Sequence, residues 1–194
     1  MTESEIMQVF ESAGAILKGH FRLTSGRHSD TYVQCARVLE DTEAATGLAQ
    51  EIARRTEDLG AETVASPAVG GIVAGFAVAQ ALGARFVFAE REEGVMRLRR
   101  GFRVHEGEKV LVVEDVITTG GSAAEVARLV EEAGGEVVGF ASLIDRSGGR
   151  AMGGRLRALL VLDVDSWDED ACPLCARGVP VDAPGSRHLG GGLA

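Results

Sequence analysis

Short apolar runs alternate along this chain with segments in which apolar residues recur at helical spacing. Residues 110–113 form an uninterrupted β-branched run that is typical of a strand buried on both faces. Strands that alternate with helices in this way predict an α/β protein with an open, mainly parallel sheet and flanking helices. We expect strands at 62–66, 85–90, 110–114, 137–144 and 156–161, and a hairpin within 93–104. The first helix should begin with a capping box at residues 2–5 and run to about residue 14. Further helices are expected at 42–59, with Thr42 as N-cap, and at 71–82 and 122–133.

Two segments depart from this alternation. Residues 18–29 are polar, basic and glycine-containing, and only a short strand at 31–33 follows them. The tail from Trp167 holds three of the four prolines, so we expect irregular structure there. The prediction is one domain over residues 1–165, whose first 40 residues include an N-terminal addition, and an irregular extension over 166–194.

Composition and charge narrow the location and the partners. A net charge of −9 argues against a nucleic-acid-binding surface. The acidic, polar start at residues 1–5 does not have the character of a signal peptide. The uncharged stretch 63–84 is long enough to span a bilayer, but its proline, its four glycines and Gln80 favour a strand, a turn and a buried helix. We therefore expect a cytoplasmic protein that does not enter a membrane.

The candidate chemistry is concentrated where the strand at 110–114 ends. Glu114 and Asp115 stand at the carboxyl edge of the predicted sheet, where open α/β folds bind ligands. Residues 118–122 follow with hydroxyl groups, glycines and a helix N-terminus, a combination that binds phosphate. Neither a Walker loop nor the G-x-G-x-x-G spacing of dinucleotide folds is present here. Acids beside a phosphate-binding loop suit a ligand that carries both a phosphate and a sugar diol, because carboxylates accept hydrogen bonds from hydroxyl groups.

Three further segments contribute candidate groups. The glycine-containing turn at 65–72 can hold a pyrophosphate at a helix N-terminus. Arg146 closes another strand at the same sheet edge, where a guanidinium can bind a carboxylate through two hydrogen bonds. The region around the predicted hairpin carries five arginines, at positions 91, 97, 99, 100 and 103.

Residues 110–122 resemble the phosphoribosyl-pyrophosphate (PRPP) signature of type I phosphoribosyltransferases. Asp145-Arg-Ser-Gly-Gly149 and Phe21-x-Leu-x-Ser-Gly-Arg27 extend the resemblance to the orotate phosphoribosyltransferases, over roughly residues 15–150. In that family the second element belongs to an N-terminal hood over the base. The resemblance implies the type I phosphoribosyltransferase fold, transfer of phosphoribose from PRPP to orotate, Mg²⁺ as cofactor, and a homodimer in which a mobile loop reaches the neighbouring subunit's site.

The resemblance also implies a role for each matching residue. Asp115 would act in catalysis and hold Mg²⁺, mostly through the ligand and water. Arginines of the mobile loop would assist at the reacting centre, and these are Arg91, Arg97 and Arg99. The PRPP contacts would be Glu114, Asp115, Thr118, Thr119, Gly120, Gly121 and Ser122 on one loop and Ala68, Val69, Gly70 and Gly71 on the other. Orotate would contact Arg146, Thr118, Phe21 and Thr24.

The chain departs from the family pattern at three places. Thr24 stands where a lysine is usual, Val69-Gly70 replaces Tyr-Lys, and residues 90–100 replace a lysine-rich run. Two other functions therefore stay open. One is a phosphoribosyltransferase that salvages a purine base, and the other is a non-catalytic regulator that senses PRPP or a nucleotide.

The cysteines pose a separate question. Cys172 and Cys175 have the C-x-x-C spacing of half a zinc site. Completing a tetrahedral Zn²⁺ site would require His188, Cys35, an acid or a partner subunit. The alternatives are a free thiol pair and a redox-labile disulfide.

Overall fold

The computed structural model describes residues 1–23 and 25–184, which contain nine strands and six α-helices. The strands are β1 (Ile16–Arg22), β2 (His28–Val33), β3 (Thr63–Pro67), β4 (Arg85–Glu92), β5 (Val95–Leu98), β6 (Lys109–Ile117), β7 (Glu136–Asp145), β8 (Leu156–Val161) and β9 (Ser166–Trp167). The helices are α1 (Glu3–Ser12), α2 (Ala36–Leu39), α3 (Thr42–Thr56), α4 (Gly70–Leu82), α5 (Gly121–Glu132) and α6 (Pro173–Ala176).

Six strands form the central sheet in the order β5-β4-β3-β6-β7-β8. All neighbours are parallel except β4 and β5, which form an antiparallel hairpin at one edge. The predicted mainly parallel sheet is therefore confirmed. Because β3, β6 and β7 are parallel neighbours, their carboxyl ends meet at one edge and bring three predicted loops together.

The sheet is covered on both faces. Leu111 and Val113 of β6 belong to a core cluster that also contains residues of α1, α3 and α4. Val110 and Val112 point to the opposite face and pack in a second cluster with residues of α5. Since successive side chains of a strand alternate between faces, a continuous apolar run is what a strand between two helical layers needs.

The helix ends follow local capping. The predicted capping box is present, because the Thr2 side chain accepts a hydrogen bond from the Glu5 amide and Glu5 reciprocates to the Thr2 amide. The prediction that Thr42 caps α3 is wrong by one residue, because the cap is Asp41. Its carboxylate accepts hydrogen bonds from the backbone amides of Glu43 and Ala44. A carboxylate is also the better cap, since its charge interacts favourably with the positive end of the helix dipole.

A second, smaller sheet lies outside the central one. β1 and β2 form an antiparallel hairpin (residues 16–33, the hood hairpin), and β9 pairs with the far edge of β2. The short strand predicted at 31–33 is thus part of a longer hairpin. Its length was missed because several of its inward-facing residues are polar and give no hydrophobic alternation; they are His20, His28, Ser29 and Thr31.

The chain after the central sheet runs back along the hood hairpin. Residues 166–184 (the C-terminal segment) contain only short elements, β9 and α6 with a 3₁₀ turn between them. The amide of Arg22 donates to the Asp182 carbonyl at 2.7 Å, and the Asp182 amide donates to the His20 carbonyl at 2.8 Å. The hood hairpin therefore has a partner on both edges.

The uncharged stretch 63–84 becomes β3, a turn and the 13-residue α4, as predicted, but the helix is not buried on all sides, because Val73 and Phe76 are exposed. No helix within residues 1–23 and 25–184 is both long and apolar enough to cross a bilayer.

The packing of α4 on the sheet makes a testable demand at Gly75. A Cβ added there would meet the Ser66 hydroxyl and would lie 2.8 Å from Cε2 of Phe86. Gly75→Ala should therefore lower the free energy of unfolding by about 1–3 kcal/mol, measured by urea titration. Gly47→Ala in α3 is the matched control, because a Cβ there meets no atom within 4 Å, and it should stabilise the protein by about 0.5–1 kcal/mol. Equal effects of the two variants would contradict the packing argument.

Candidate active site

Two acidic residues, Glu114 and Asp115, are consecutive in β6 and precede its last two residues, Val116 and Ile117. Burial, and then the nearby negative charge of Asp115, raise the pKa of Glu114 from 4.5 to about 8. Burial also raises the pKa of Asp115, although hydrogen bonds from backbone amides oppose the effect. Within residues 1–23 and 25–184 neither carboxylate takes part in an ion pair. Such a pair favours a ligand that brings positive charge or hydrogen-bond donors.

The loop after β6 presents the N-terminus of α5 next to these acids. Thr118 and Thr119 are exposed, and Gly121 begins the helix. Gly120 adopts φ +78°, and a Cβ there would meet Cε of Met152, so only glycine fits this position. The first amides of a helix have no partner within it, and those from Gly121 onward, with the Ser122 hydroxyl, suit a phosphate.

The predicted pyrophosphate loop reaches the same acids from β3. A Cβ on Gly70 would lie 2.8 Å from Oδ2 of Asp115, so the backbone of the loop packs directly against the carboxylate. The Ala68 amide donates to the Ala89 carbonyl at 2.7 Å, which anchors the loop to β4, and the Ala68–Val69 peptide is cis. Gly70 and Gly71 begin α4, so this loop also ends in a helix N-terminus.

Arg146 follows β7 at the same sheet edge. Its amide donates to the Ile117 carbonyl at 2.8 Å, while the Asp145 carboxylate accepts from the amides of Ser147 and Gly149 at 2.6 and 2.8 Å. These bonds fix the loop. The Nε atom of Arg146 is buried without a partner among the described residues, and burial lowers the pKa of the guanidinium. A partly desolvated cation of this kind favours an anionic ligand.

The hood hairpin brings an aromatic group that sequence reasoning missed. Tyr32 lies 5.7 Å from Phe21, measured between ring centroids. Burial and the negative charge of Asp115 raise the pKa of Tyr32, whereas the positive charge of Arg146 lowers it, so this phenol lies near both groups. The short β pattern at 31–33 was the available signal, because alternation places Tyr32 on the face opposite Thr31 and Val33. Thr24, a predicted orotate contact, lies outside the described residues.

The three predicted catalytic arginines lie on the β4–β5 hairpin and have carboxylate partners there. Arg91 pairs with Glu125 of α5 at 2.9 Å, Arg97 with Glu92 at 3.6 Å, and Arg99 with Glu90 at 3.0 Å. Counting arginines alone overlooked the glutamates that alternate with them. The two central residues of the turn between these strands, Glu93 and Gly94, both have positive φ, as in the type I′ turns whose twist matches that of an antiparallel strand pair. The catalytic role of these arginines stays a prediction.

The C-x-x-C segment lies next to two histidines of the hood hairpin. One ligand atom from each of His20, His28, Cys172 and Cys175 lies within 4.8 Å of every other. The expectation that Cys35 or an acid completes this set is wrong, because Cys35 is buried elsewhere, with its Sγ 3.9 Å from the Asp115 carbonyl. His188 lies outside the described residues. The spacing of His20 and His28 gave no signal, since only hairpin pairing brings them together.

Replacing Glu114 tests the acid pair. A carboxyl group whose pKa is raised on folding adds stability below its unfolded pKa of 4.5, and this stability is lost as the pH rises through about 8. Without ligand, Glu114→Gln should therefore gain stability relative to the wild type between pH 5 and 8, by on the order of a few kcal/mol, and the gain should level off above about pH 8. Urea unfolding at several pH values measures this difference. A gain that does not change with pH would refute the raised pKa.

Comparison with known proteins shows which family this chain is similar to. The phosphoribosyl transferase domain family matches residues 38–153. An orotate phosphoribosyltransferase of Desulforamulus reducens is 54% identical over 190 residues, which cover 97% of this chain and 100% of the relative. One from Thermotoga maritima is 50% identical over 185 residues, which cover 95% and 99%.

Solved structures agree with the sequence comparison. The crystal structure of orotate phosphoribosyltransferase from Aeropyrum pernix matches with a TM-score of 0.68 and 28% identity, over 81% of this chain and 93% of that one. The Mycobacterium tuberculosis enzyme in complex with PRPP matches with a TM-score of 0.63 and 27% identity, over 82% and 96%. An adenine phosphoribosyltransferase from Thermoanaerobacter pseudethanolicus, with 20% identity and a TM-score of 0.67 over 83% and 100%, shares the fold. The chain belongs to the orotate phosphoribosyltransferase family.

Proposed function

We propose that this protein transfers the 5-phosphoribosyl group of PRPP to orotate and forms orotidine 5′-monophosphate and pyrophosphate. The observation that supports orotate most directly is the half-buried guanidinium of Arg146, whose Nε has no partner among the described residues. It follows β7 at the sheet edge that carries Glu114 and Asp115. Orotate has a carboxylate that a guanidinium can bind through two hydrogen bonds, whereas adenine and hypoxanthine have no anionic group to offer.

The reaction breaks the bond between the anomeric carbon and the pyrophosphate oxygen and forms a bond from that carbon to a ring nitrogen of orotate. The bonding electron pair leaves with pyrophosphate, and orotate enters as the nitrogen anion. Positive charge therefore develops on the ribose ring and negative charge on the leaving group. Catalysis of such a step is chiefly electrostatic and depends on groups that are fixed before the reaction.

The loops divide the ligand between them in this proposal. Residues 118–122 and the N-terminus of α5 bind the 5′-phosphate, while residues 68–71 and the N-terminus of α4 bind the pyrophosphate. Glu114 and Asp115 accept hydrogen bonds from the ribose hydroxyls, which lie between the two phosphate groups. Phe21 and Tyr32 on the hood hairpin cover the base and exclude water from the reacting centre.

The acid pair also fits the Mg²⁺ that this chemistry calls for. Two neighbouring acidic residues have no cationic partner among the described residues, and the backbone of the glycine loop packs against one of them, Asp115. Asp115 would hold the ion with Glu114 nearby, mostly through water and the ligand's oxygens. When bound, Mg²⁺ neutralises charge on the pyrophosphate and the sugar oxygens.

We also infer that the protein is a homodimer. Val69, Val73 and Phe76 lie on and beside one face of α4 and are 82%, 50% and 58% exposed, which is unusual for a contiguous apolar group. In this proposal Arg91, Arg97 and Arg99 exchange their glutamate partners for the pyrophosphate of the neighbouring subunit's site. A cytoplasmic location stays a prediction.

An assay of base specificity tests the proposed reaction. Purified protein with PRPP and Mg²⁺ should consume orotate, followed by its absorbance, and should release no pyrophosphate with adenine, xanthine or uracil. Arg146→Ala should raise KM for orotate about ten- to a hundredfold, because a charge-assisted hydrogen bond is lost, and should change KM for PRPP far less. Arg150→Ala is the matched control, since Arg150 is an exposed arginine of the same loop.

Three results would each contradict a different part of this proposal. Turnover of a purine base without orotate would assign the protein to base salvage. Tight binding of PRPP or a nucleotide without turnover of any base would identify a regulator. Equal increases in both KM values for Arg146→Ala would remove the arginine from the base site.

Mixing two damaged variants tests the shared site. Asp115→Asn and the triple variant Arg91→Ala/Arg97→Ala/Arg99→Ala should each have very low activity. Random exchange of equal amounts should restore about a quarter of wild-type activity, because half of the dimers are mixed and each holds one complete site. A mixture of Asp115→Asn with Glu114→Gln is the control and should recover nothing. No recovery in the first mixture would show that the hairpin does not act across subunits.

A further inference from the structure

We propose that His20, His28, Cys172 and Cys175 bind one Zn²⁺ in a tetrahedral structural site that joins the hood hairpin to the C-terminal segment. The four residues lie far apart in sequence but converge around one point. Nε2 of His20 lies 2.8 Å from Nδ1 of His28, 3.5 Å from Sγ of Cys172 and 3.7 Å from Sγ of Cys175. Sγ of Cys175 lies 3.2 Å from Nδ1 of His28.

These separations are those of a tetrahedron around zinc. Zn–S bonds of about 2.3 Å and Zn–N bonds of about 2.0–2.1 Å place two nitrogens about 3.3 Å apart, and a nitrogen and a sulfur about 3.6 Å apart. The four separations given above depart from these values by about 0.5 Å or less. Small side-chain adjustments on binding would therefore complete the coordination without a change in the backbone.

A hydrogen bond outside the cluster orients one of the histidines. Nδ1 of His20 lies 2.7 Å from the carbonyl oxygen of Val179 and can only donate to it, so the lone pair of the neutral ring is on Nε2. That atom is the one that faces the two thiols and His28. Metal-binding histidines generally have such a second partner, which fixes the tautomer and the ring orientation.

The chemistry of the ligand set favours zinc over other divalent ions. Two thiolates and two imidazoles are ligands for a soft or borderline ion, whereas Mg²⁺ prefers oxygen. Four protein ligands leave no open position, which indicates a structural and not a catalytic metal. Two thiolates balance the charge of Zn²⁺, so the site can be buried at low cost; His20, His28 and Cys172 are all at most 4% exposed.

The position of the site explains why a metal would be useful there. The small sheet of β1, β2 and β9 buries polar residues, and the two apolar clusters in residues 1–23 and 25–184 contain no residue of the C-terminal segment. The segment is therefore held by a few backbone hydrogen bonds, by the contacts of Arg27 with Ser166 and Asp168, and by this cluster. A metal that links β1, β2 and the two cysteines would hold in place the hood hairpin, which carries Phe21 and Tyr32.

Metal analysis of the full chain tests the proposal. Protein expressed with added zinc and purified under reducing conditions should contain about one zinc ion per chain, measured by inductively coupled plasma mass spectrometry. Cys172→Ser and Cys175→Ser should lose at least nine-tenths of it. Cys35→Ala, His105→Asn and His188→Asn are the controls and should retain it, because these residues lie outside the proposed ligand set.

Cobalt gives a second measurement if the cysteine variants do not fold. Wild-type protein exchanged into Co²⁺ should show the intense d–d bands of a tetrahedral site and the charge-transfer band of a thiolate ligand. The site would be overturned by any of three results. These are a zinc content of the wild type below about a tenth of the chain concentration, a Cys172–Cys175 disulfide in protein purified under reducing conditions, and a Co²⁺ spectrum without thiolate bands. Neither measurement uses a substrate, so the outcome is independent of the proposed transferase activity.

The effect of the metal on the hood can be measured separately, and this step rests on the proposed function. Removal of zinc by a chelator and a thiol reagent should lower Tm and raise KM for orotate more than KM for PRPP, because the hood covers the base. Readdition of Zn²⁺ should reverse both changes. Equal changes in the two KM values would limit the metal to a role in stability.

Discussion

Two consecutive, half-buried acidic residues near the carboxyl end of β6, Glu114 and Asp115, determine what the rest of the site has to bind. Burial and mutual repulsion raise the pKa of Glu114 to about 8, so the ligand-free protein is least stable where both groups are ionised. Gly70 has to be a glycine because its backbone packs against Asp115, and the partner-free Nε of Arg146 represents a second unfavourable burial, of opposite sign. A ligand with sugar hydroxyls, phosphates and a carboxylate relieves all of these at once.

The topology explains why these charges do not neutralise one another. Asp115 lies in β6, whereas Arg146 follows β7, the parallel neighbour of β6, and within the described residues the two form no ion pair. The loop of Arg146 is fixed by the Asp145 carboxylate, which accepts two backbone amides. A salt bridge between Asp115 and Arg146 would have to break on ligand binding and would therefore weaken it. The sheet edge therefore keeps complementary charges separate until a ligand lies between them.

The sequence predicted the parts of this arrangement that depend on local signals. The apolar run at 110–113, the glycine-rich loop after it and the arginine after β7 each follow from patterns within about ten residues. The ion-pair partners of Arg91, Arg97 and Arg99 did not follow from local patterns. Arg91 pairs with Glu125 of α5, which is a tertiary contact, and the pairing of the other two with Glu90 and Glu92 depends on the register of the hairpin. Tyr32 was missed for a similar reason: its nearness to Asp115 and Arg146 depends on how the hood hairpin lies over the sheet.

The hood hairpin shows the limit of pattern reasoning most clearly. Several of its buried side chains are polar, so hydrophobic alternation could not reveal the strand at 16–22 or bring His20 next to His28. The C-x-x-C motif supplied only half of a metal site, and the missing half came from a strand pair about 150 residues earlier in the chain. A small sheet with a polar interior needs a source of stability other than apolar burial. Coordination of one ion by four converging ligands meets that need, and it also makes the cover of the base site depend on the far end of the chain.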